Sequence, residues 1–90
     1  MSMRLIELAK QLVSSEITAA YYELEYLAIW REEGKAGLLA QDPKTLGECA
    51  STLFILADCY NPDPDRHDSE LDEEGLKQEV EATLRKFDFL

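Results

Sequence analysis

One histidine, two cysteines, three prolines and four glycines are spread over ninety residues, and each scarcity closes off a class of protein. A single histidine leaves no His-x-x-x-His pair for zinc, the cysteines form no Cys-x-x-Cys motif, and no glycine-rich loop is available to cradle phosphate. No apolar run approaches the roughly 20 residues needed to cross a bilayer. The first residues carry a helical pattern that includes Glu7, unlike a secretory leader, so a cytoplasmic address is expected. Cys49 and Cys59 are ten positions apart in one predicted helix, which sets their Cα atoms about 15 Å apart. A disulfide needs less than about 7 Å. Reduced, core-packing thiols are expected, in keeping with that address. Ser14 and Ser15 fall in a turn between helices, where serine caps rather than attacks, and His67 sits among Asp63, Asp65, Asp68 and Glu70 as part of a charge network rather than as a general base. Neither enzymatic chemistry nor a cofactor is expected.

Positive charge is also scarce. Nine bases stand against nineteen acids, for a net charge of −10. Such a surface repels phosphate backbones and anionic lipid, so direct binding to nucleic acid or membrane is disfavoured and a basic partner is favoured. The alternative is that the charge serves solubility alone.

What is present is apolar patterning at helical period, with 46% hydrophobic residues in a chain long enough for one core. Leu5, Ile6, Leu8, Ala9, Leu12 and Val13 predict a first helix to about Ser14, after which Ser15 or Thr18 can cap the next. A second helix carries Tyr22, Tyr26, Leu27, Ile29 and Trp30 to about Glu33, with Gly34 suited to a left-handed end. Of the tyrosines, Tyr22 and Tyr26 read as core rather than as a recognition surface with Tyr21. Asp42-Pro43 signals the start of a third helix, whose stripe of Leu46, Cys49, Ala50, Leu53, Phe54, Ala57 and Tyr60 ends at Asn61-Pro62. Leu76, Val80, Leu84 and Phe87 mark a fourth, with Asp72 as its cap and Leu71 and Leu76 as a hydrophobic staple. The expected fold is all-α, a small antiparallel four-helix bundle forming a single domain over residues 1–90.

The stretch "NPDPDRHDSELDEEG", Asn61 to Gly75, concentrates the acid: eight of the nineteen carboxylates lie between Asp58 and Glu74. Three readings compete. A solvated loop is one. A calcium site is another, since Asp63, Asp65 and Glu74 fall at positions 1, 3 and 12 of an EF-hand loop. Asp68 at position 6, where the turn calls for glycine, His67 at position 5 and Glu70 at position 8 break that pattern, and Pro64 restricts the backbone between the first two ligands. The third reading is imitation: carboxylates held near two proline-stiffened turns can replace nucleic-acid phosphates in a basic cleft at low ordering cost.

Two blocks carry a family resemblance. "LIELAKQLVSSEITA", Leu5 to Ala19, is similar to the first helix and Ser-x-Ile-Thr-Ala turn of the colicin D-type immunity proteins. "PDPDRHDSELDEEGLKQEVEATLRKF", Pro62 to Phe87, is similar to their Pro-Asp-x-Asp-Arg turn, acidic cap and Gly-Leu-Lys-x-Glu-Val helix. The resemblance implies a four-helix inhibitor that binds a tRNA-cleaving toxin one to one and blocks its basic active site, acidic side chains standing in for phosphates of the anticodon loop. Carried over by position, the phosphate-replacing acids are Asp58, Asp63 and Asp65; the toxin-binding set expected is Asp63 and Asp65 at the centre, Asp58 and Glu70 in support, and Asp72 mainly capping the last helix. The family can have a further acid beside the first turn proline where this chain has Asn61, and Tyr21 to Thr45 departs from the family, so partner specificity is expected there. Rival readings are an inhibitor that covers a surface beside the toxin's active site, a calcium-responsive helical module, and an acidic helical protein with no tight partner.

Overall fold

The computed structural model describes residues 3–35, 37 and 44–90. Among them are four helices, α1 Arg4–Val13, α2 Ala19–Lys35, α3 Lys44–Asp58 and α4 Glu73–Lys86. Each helix packs on its two neighbours in chain order around a ring, α1 closing against α4. The alternation of direction is visible at the ends. Arg4, which opens α1, lies 3.7 Å from Glu32 and 3.9 Å from Glu33 at the end of α2. The first amide of α2, from Ala19, donates at 2.8 Å to Glu73 Oε2, the first residue of α4. One pole therefore gathers the end of α1, the start of α2, the end of α3 and the start of α4. This is the antiparallel four-helix bundle that the spacing predicts.

The apolar stripes meet in one core. Leu5, Ile6, Leu12, Tyr22, Tyr26, Leu53, Leu76, Val80 and Leu84 are fully shielded, with Trp30, Phe54, Tyr60, Leu71, Phe87 and Phe89 packed around them. Tyr22, Tyr26, Trp30 and Phe54 stack in series at centroid distances of 5.4, 6.3 and 4.8 Å. Tyr22 and Tyr26 are core residues, whereas Tyr21 is half exposed. Cys49 and Cys59 are free thiols, and burial pushes the Cys49 thiol up to about 11, which keeps it protonated and unreactive.

Local endings show what the sequence could and could not specify. Thr18 Oγ1 accepts from the Tyr21 amide at 3.1 Å and so caps α2. Ser15 instead takes the left-handed conformation, φ 64°, beyond the end of α1, where Ser15 N donates to Leu12 O and Glu16 N to Gln11 O. These two bonds make a Schellman ending. Asp88, φ 62°, closes α4 in the same way, with Phe89 folded back on the core. Gly34 does not terminate α2. The helix runs through it to Lys35, and the left-handed glycine is Gly37, φ 75°, whose amide donates to Gly34 O at 3.1 Å. A glycine inside a helix costs only about 1 kcal/mol, and the buried Glu33 and the ion pairs to Arg4 hold the last turn of α2 on α1. The Asp42-Pro43 start of α3 lies outside the described residues.

The two core tyrosines differ in one atom's surroundings. Tyr26 Oη donates to the Ala50 carbonyl, while Tyr22 Oη is buried without a hydrogen-bond partner among the described residues. Leaving a buried hydroxyl unpaired costs about 1–3 kcal/mol. Tyr22→Phe should therefore raise stability by about 1 kcal/mol and Tyr26→Phe should lower it by a similar amount. Urea denaturation of the two variants checks the pair, and loss of stability in Tyr22→Phe would contradict it.

Candidate functional site

The acidic segment between α3 and α4 is a closed loop. Its two ends are zipped by a parallel one-residue bridge, with Asn61 N donating to Leu71 O and Leu71 N to Cys59 O, both at 2.8 Å. Within it, Asn61 Oδ1 accepts from Asp63 N across Pro62, and Asp63 Oδ1 accepts from Asp65 N across Pro64, each at 2.9 Å. Two successive side-chain turns, each stiffened by a proline, thus set the path of the chain. Arg66 reaches back through Nη1 to Asp63 O at 2.9 Å and through Nη2 to Asp72 Oδ2 at 3.2 Å. A loop with this many internal bonds presents its outward carboxylates in a fixed arrangement.

The acids divide into two groups. Glu70 turns into the loop, accepting from His67 N at 2.9 Å and Asn61 Nδ2 at 3.2 Å. Asp72 caps α4 through Oδ1, which accepts from Gly75 N at 2.7 Å, and holds Arg66 with its other oxygen. Both are committed to scaffold. Asp58, Asp63 and Asp65 are exposed, as is Asp68 beside them. Of the five sequence-predicted site residues, Asp58, Asp63 and Asp65 therefore face solvent, Asp63 while also holding the Asp65 amide, and Glu70 and Asp72 build the loop that carries them. Asn61 is the organiser: one end of its amide accepts and the other donates, which a carboxylate at this position could not do toward Glu70. Among the described residues no three acidic, histidine or cysteine side chains converge to hold a metal ion.

Of the acids at this pole, Glu73 takes a role that linear reading does not supply, and Glu23 a place that it does not. Glu73 holds the first amide of α2, as described above. Glu23, one turn into α2, lies beside Asp58; burial and then the Asp58 charge raise its carboxyl above the usual 4.5. At Tyr60, burial and then the charges of Glu73, Glu23 and Asp72 raise the hydroxyl above its usual 10. Asp58 itself occupies the last turn of α3, where the helix dipole disfavours negative charge. Like charges set together and against a dipole cost folding free energy, which is the pattern of a surface arranged for a partner. Only antiparallel pairing of α2 and α3 brings Glu23 to Asp58, so no local signal announces it.

Bases and acids are mixed at the far pole, where Arg4 pairs with Glu32 and Glu33, Lys44 with Glu48 and Arg85 with Glu81, whereas Lys10, Arg66 and Lys77 stand among an excess of acids at the other. Arg66 is already bonded within the loop, and Lys77 donates to Ser15 Oγ at 3.0 Å.

The chain matches the family described as bacterial self-protective colicin-like immunity over residues 1–87. It belongs to that family. A colicin-like immunity protein protects by binding a cognate toxin. None of the curated proteins matches the chain at a significant level. No described helix is long and apolar enough to cross a membrane.

Two pH-linked outcomes follow for this immunity protein. The hydrogen bonds from His67 N and Asn61, in that order, hold the Glu70 carboxyl below its usual 4.5. A carboxylate with a depressed value contributes stability above its unfolded value and loses it as pH falls through the lower one. In an NMR pH titration the His67 amide and the Asn61 side-chain amide should move together with a midpoint below 4.5. A midpoint at or above that value would mean that the bonds do not persist in solution. Glu23 carries the opposite sign, because a raised value favours the protonated acid in the fold and the contribution is lost as pH rises. Glu23→Gln should therefore raise the neutral-pH melting temperature by about 1–3 °C, with the gain fading below pH 4.5, where Glu23 is itself protonated. Melting curves at the two pH values test this, and a loss of stability at neutral pH would contradict it.

Proposed function

We propose that this immunity protein binds, one to one, the nuclease domain of a toxin that cleaves tRNA, and fills its basic cleft with Asp58, Asp63 and Asp65 in place of anticodon-loop phosphates. The observation that carries this reading is the closed loop, in which consecutive side-chain turns around Pro62 and Pro64 hold the backbone that bears Asp63 and Asp65. Pre-ordering lowers the cost of binding, because little conformational freedom remains to be lost on contact. Glu70 and Asp72 support the array from within instead of touching the toxin. The charge polarity of the bundle would turn the acidic pole toward a cationic partner during encounter.

Titration of the chain into the nuclease domain of the toxin encoded beside it, read as tRNA cleavage, tests the proposal. Protection should be complete at one equivalent, with an association rate that falls as salt rises. Cleavage that persists at excess inhibitor would overturn it.

A further inference from the structure

One base stands where a surface that attracts cations should have none. Between Asp63 and Glu74 the chain carries seven carboxylates, and Arg66 lies in their midst. Its charge opposes the approach of a basic partner. Its neighbours Asp65 and His67 are exposed, yet only 29% of the Arg66 side chain meets solvent. The side chain is folded inward onto the loop. The Asp63 carbonyl accepts from this residue twice, from the Arg66 amide at 3.1 Å and from Nη1 at 2.9 Å. Nη2 goes on to Asp72 Oδ2 at 3.2 Å, while Asp72 Oδ1 holds the Gly75 amide at 2.7 Å. Among the described residues this is the one side-chain bond that ties the turn over residues 63–66 to a helix. The guanidinium thus links the Pro64 turn to the first turn of α4, which Leu76 anchors in the core. A planar fork of donors suits a link between two acceptors, where the single nitrogen of a lysine does not.

We propose that Arg66 is a positioning residue for toxin binding: by tying the Asp63 carbonyl to Asp72 it orders the turn that bears Asp63 and Asp65 before the toxin arrives, and so lengthens the life of the complex. The inference rests on the proposed function, in which that turn enters a basic cleft. Charge and position act here with opposite signs. Were charge alone at work, loss of Arg66 would favour a basic toxin, because the surface gains negative charge. With Arg66 as a tie, its loss frees the turn, and ordering the turn again on contact costs affinity. Asp72 then serves binding through Arg66 rather than by touching the toxin. Its bond to Gly75 stays in place when the tie is cut, so α4 keeps its cap.

Surface plasmon resonance against the catalytically inactivated nuclease domain encoded beside the chain tests this with Arg66→Gln, Asp72→Asn and their combination. Asparagine caps a helix as well as aspartate does, so Asp72→Asn keeps the oxygen for Gly75 and removes only the carboxylate that meets Arg66. Each single change should raise the dissociation rate about tenfold, and Arg66→Gln should do so with an association rate no lower than the parent's. The combination should dissociate no faster than the faster single variant, because both changes cut one bond. In the free protein the heteronuclear NOE of the Asp65 and Arg66 amides should fall in both single variants, with the melting temperature within about 5 °C of the parent's. Arg66→Gln that dissociates as slowly as the parent would overturn the tie. So would single effects that multiply in the combination, which would show Arg66 and Asp72 acting separately. Binding lost in Asp63→Asn/Asp65→Asn, with Arg66→Gln unchanged, would overturn the tie and leave the mimicry intact. Faster dissociation in Arg66→Gln, with Asp63→Asn/Asp65→Asn unaffected, would support the tie as positioner of the loop and overturn the mimicry. If neither change matters, both are wrong.

Discussion

Replacing Asp63 and Asp65 together by asparagine is expected to weaken toxin binding by about 3–6 kcal/mol, a hundredfold or more, chiefly through faster dissociation. In the free protein both carboxylates face water, so their removal costs the fold little. In the complex each would leave a basic group of the toxin desolvated and unpaired, and that penalty dominates. The two sites are neighbours in one turn, so the combined loss is expected to fall short of the sum of the single losses. Asparagine is the informative replacement. Asp63 Oδ1 accepts from the Asp65 amide, and an asparagine keeps that oxygen while removing the charge. Alanine at Asp63 would also break the turn, confounding shape with electrostatics. The melting temperature of the asparagine pair should stay close to that of the parent, and a pair that binds as tightly as the parent would show that these acids are not the contacts.

Leu76→Ala is expected to have the largest effect on the fold itself. Leu76 is fully buried at the first turn of α4, directly after the Asp72 cap and opposite the point where Leu71 bridges to Tyr60. Truncating a buried leucine costs about 2–5 kcal/mol, part transfer and part cavity. For a domain of this size that lowers the melting temperature by about 10–30 °C. Circular dichroism melts measure it directly. A fall of only a degree or two would mean that the first turn of α4 does not anchor in the core.

The helices and their packing faces were legible because apolar spacing at period 3.6 is a local signal, repeated through each helix. Asp72, with Leu71 before it and Leu76 after it, was legible for the same reason, since a cap and its staple lie within one turn. Gly34 is suited to end α2, yet the helix continues through it, because a weak propensity is outweighed by contacts to Arg4, which lies far off in sequence. Within the acidic loop, sequence identified the carboxylates but not their directions. Glu70 turns inward because Asn61 and the His67 amide both donate to it, and that choice depends on the loop being closed by the Tyr60–Leu71 bridge. Glu23 owes its place at the acidic pole, and Glu73 its bond to the Ala19 amide, to a helix remote in sequence, so no local signal marks either. Tyr22 and Tyr26 were legible as core by their spacing of four, which leaves Tyr21 on another side of α2, and there it is half exposed.

The central claim is that the acidic pole and the RNA compete for one cleft. The most direct test mixes the inactivated nuclease domain with a fluorescent tRNA anticodon stem-loop and follows anisotropy as the immunity protein is added. Mimicry predicts full displacement of the RNA at one equivalent and no species containing all three components. A stable ternary complex, with RNA still bound while cleavage by the active toxin is blocked, would contradict it and place the inhibitor beside the active site instead.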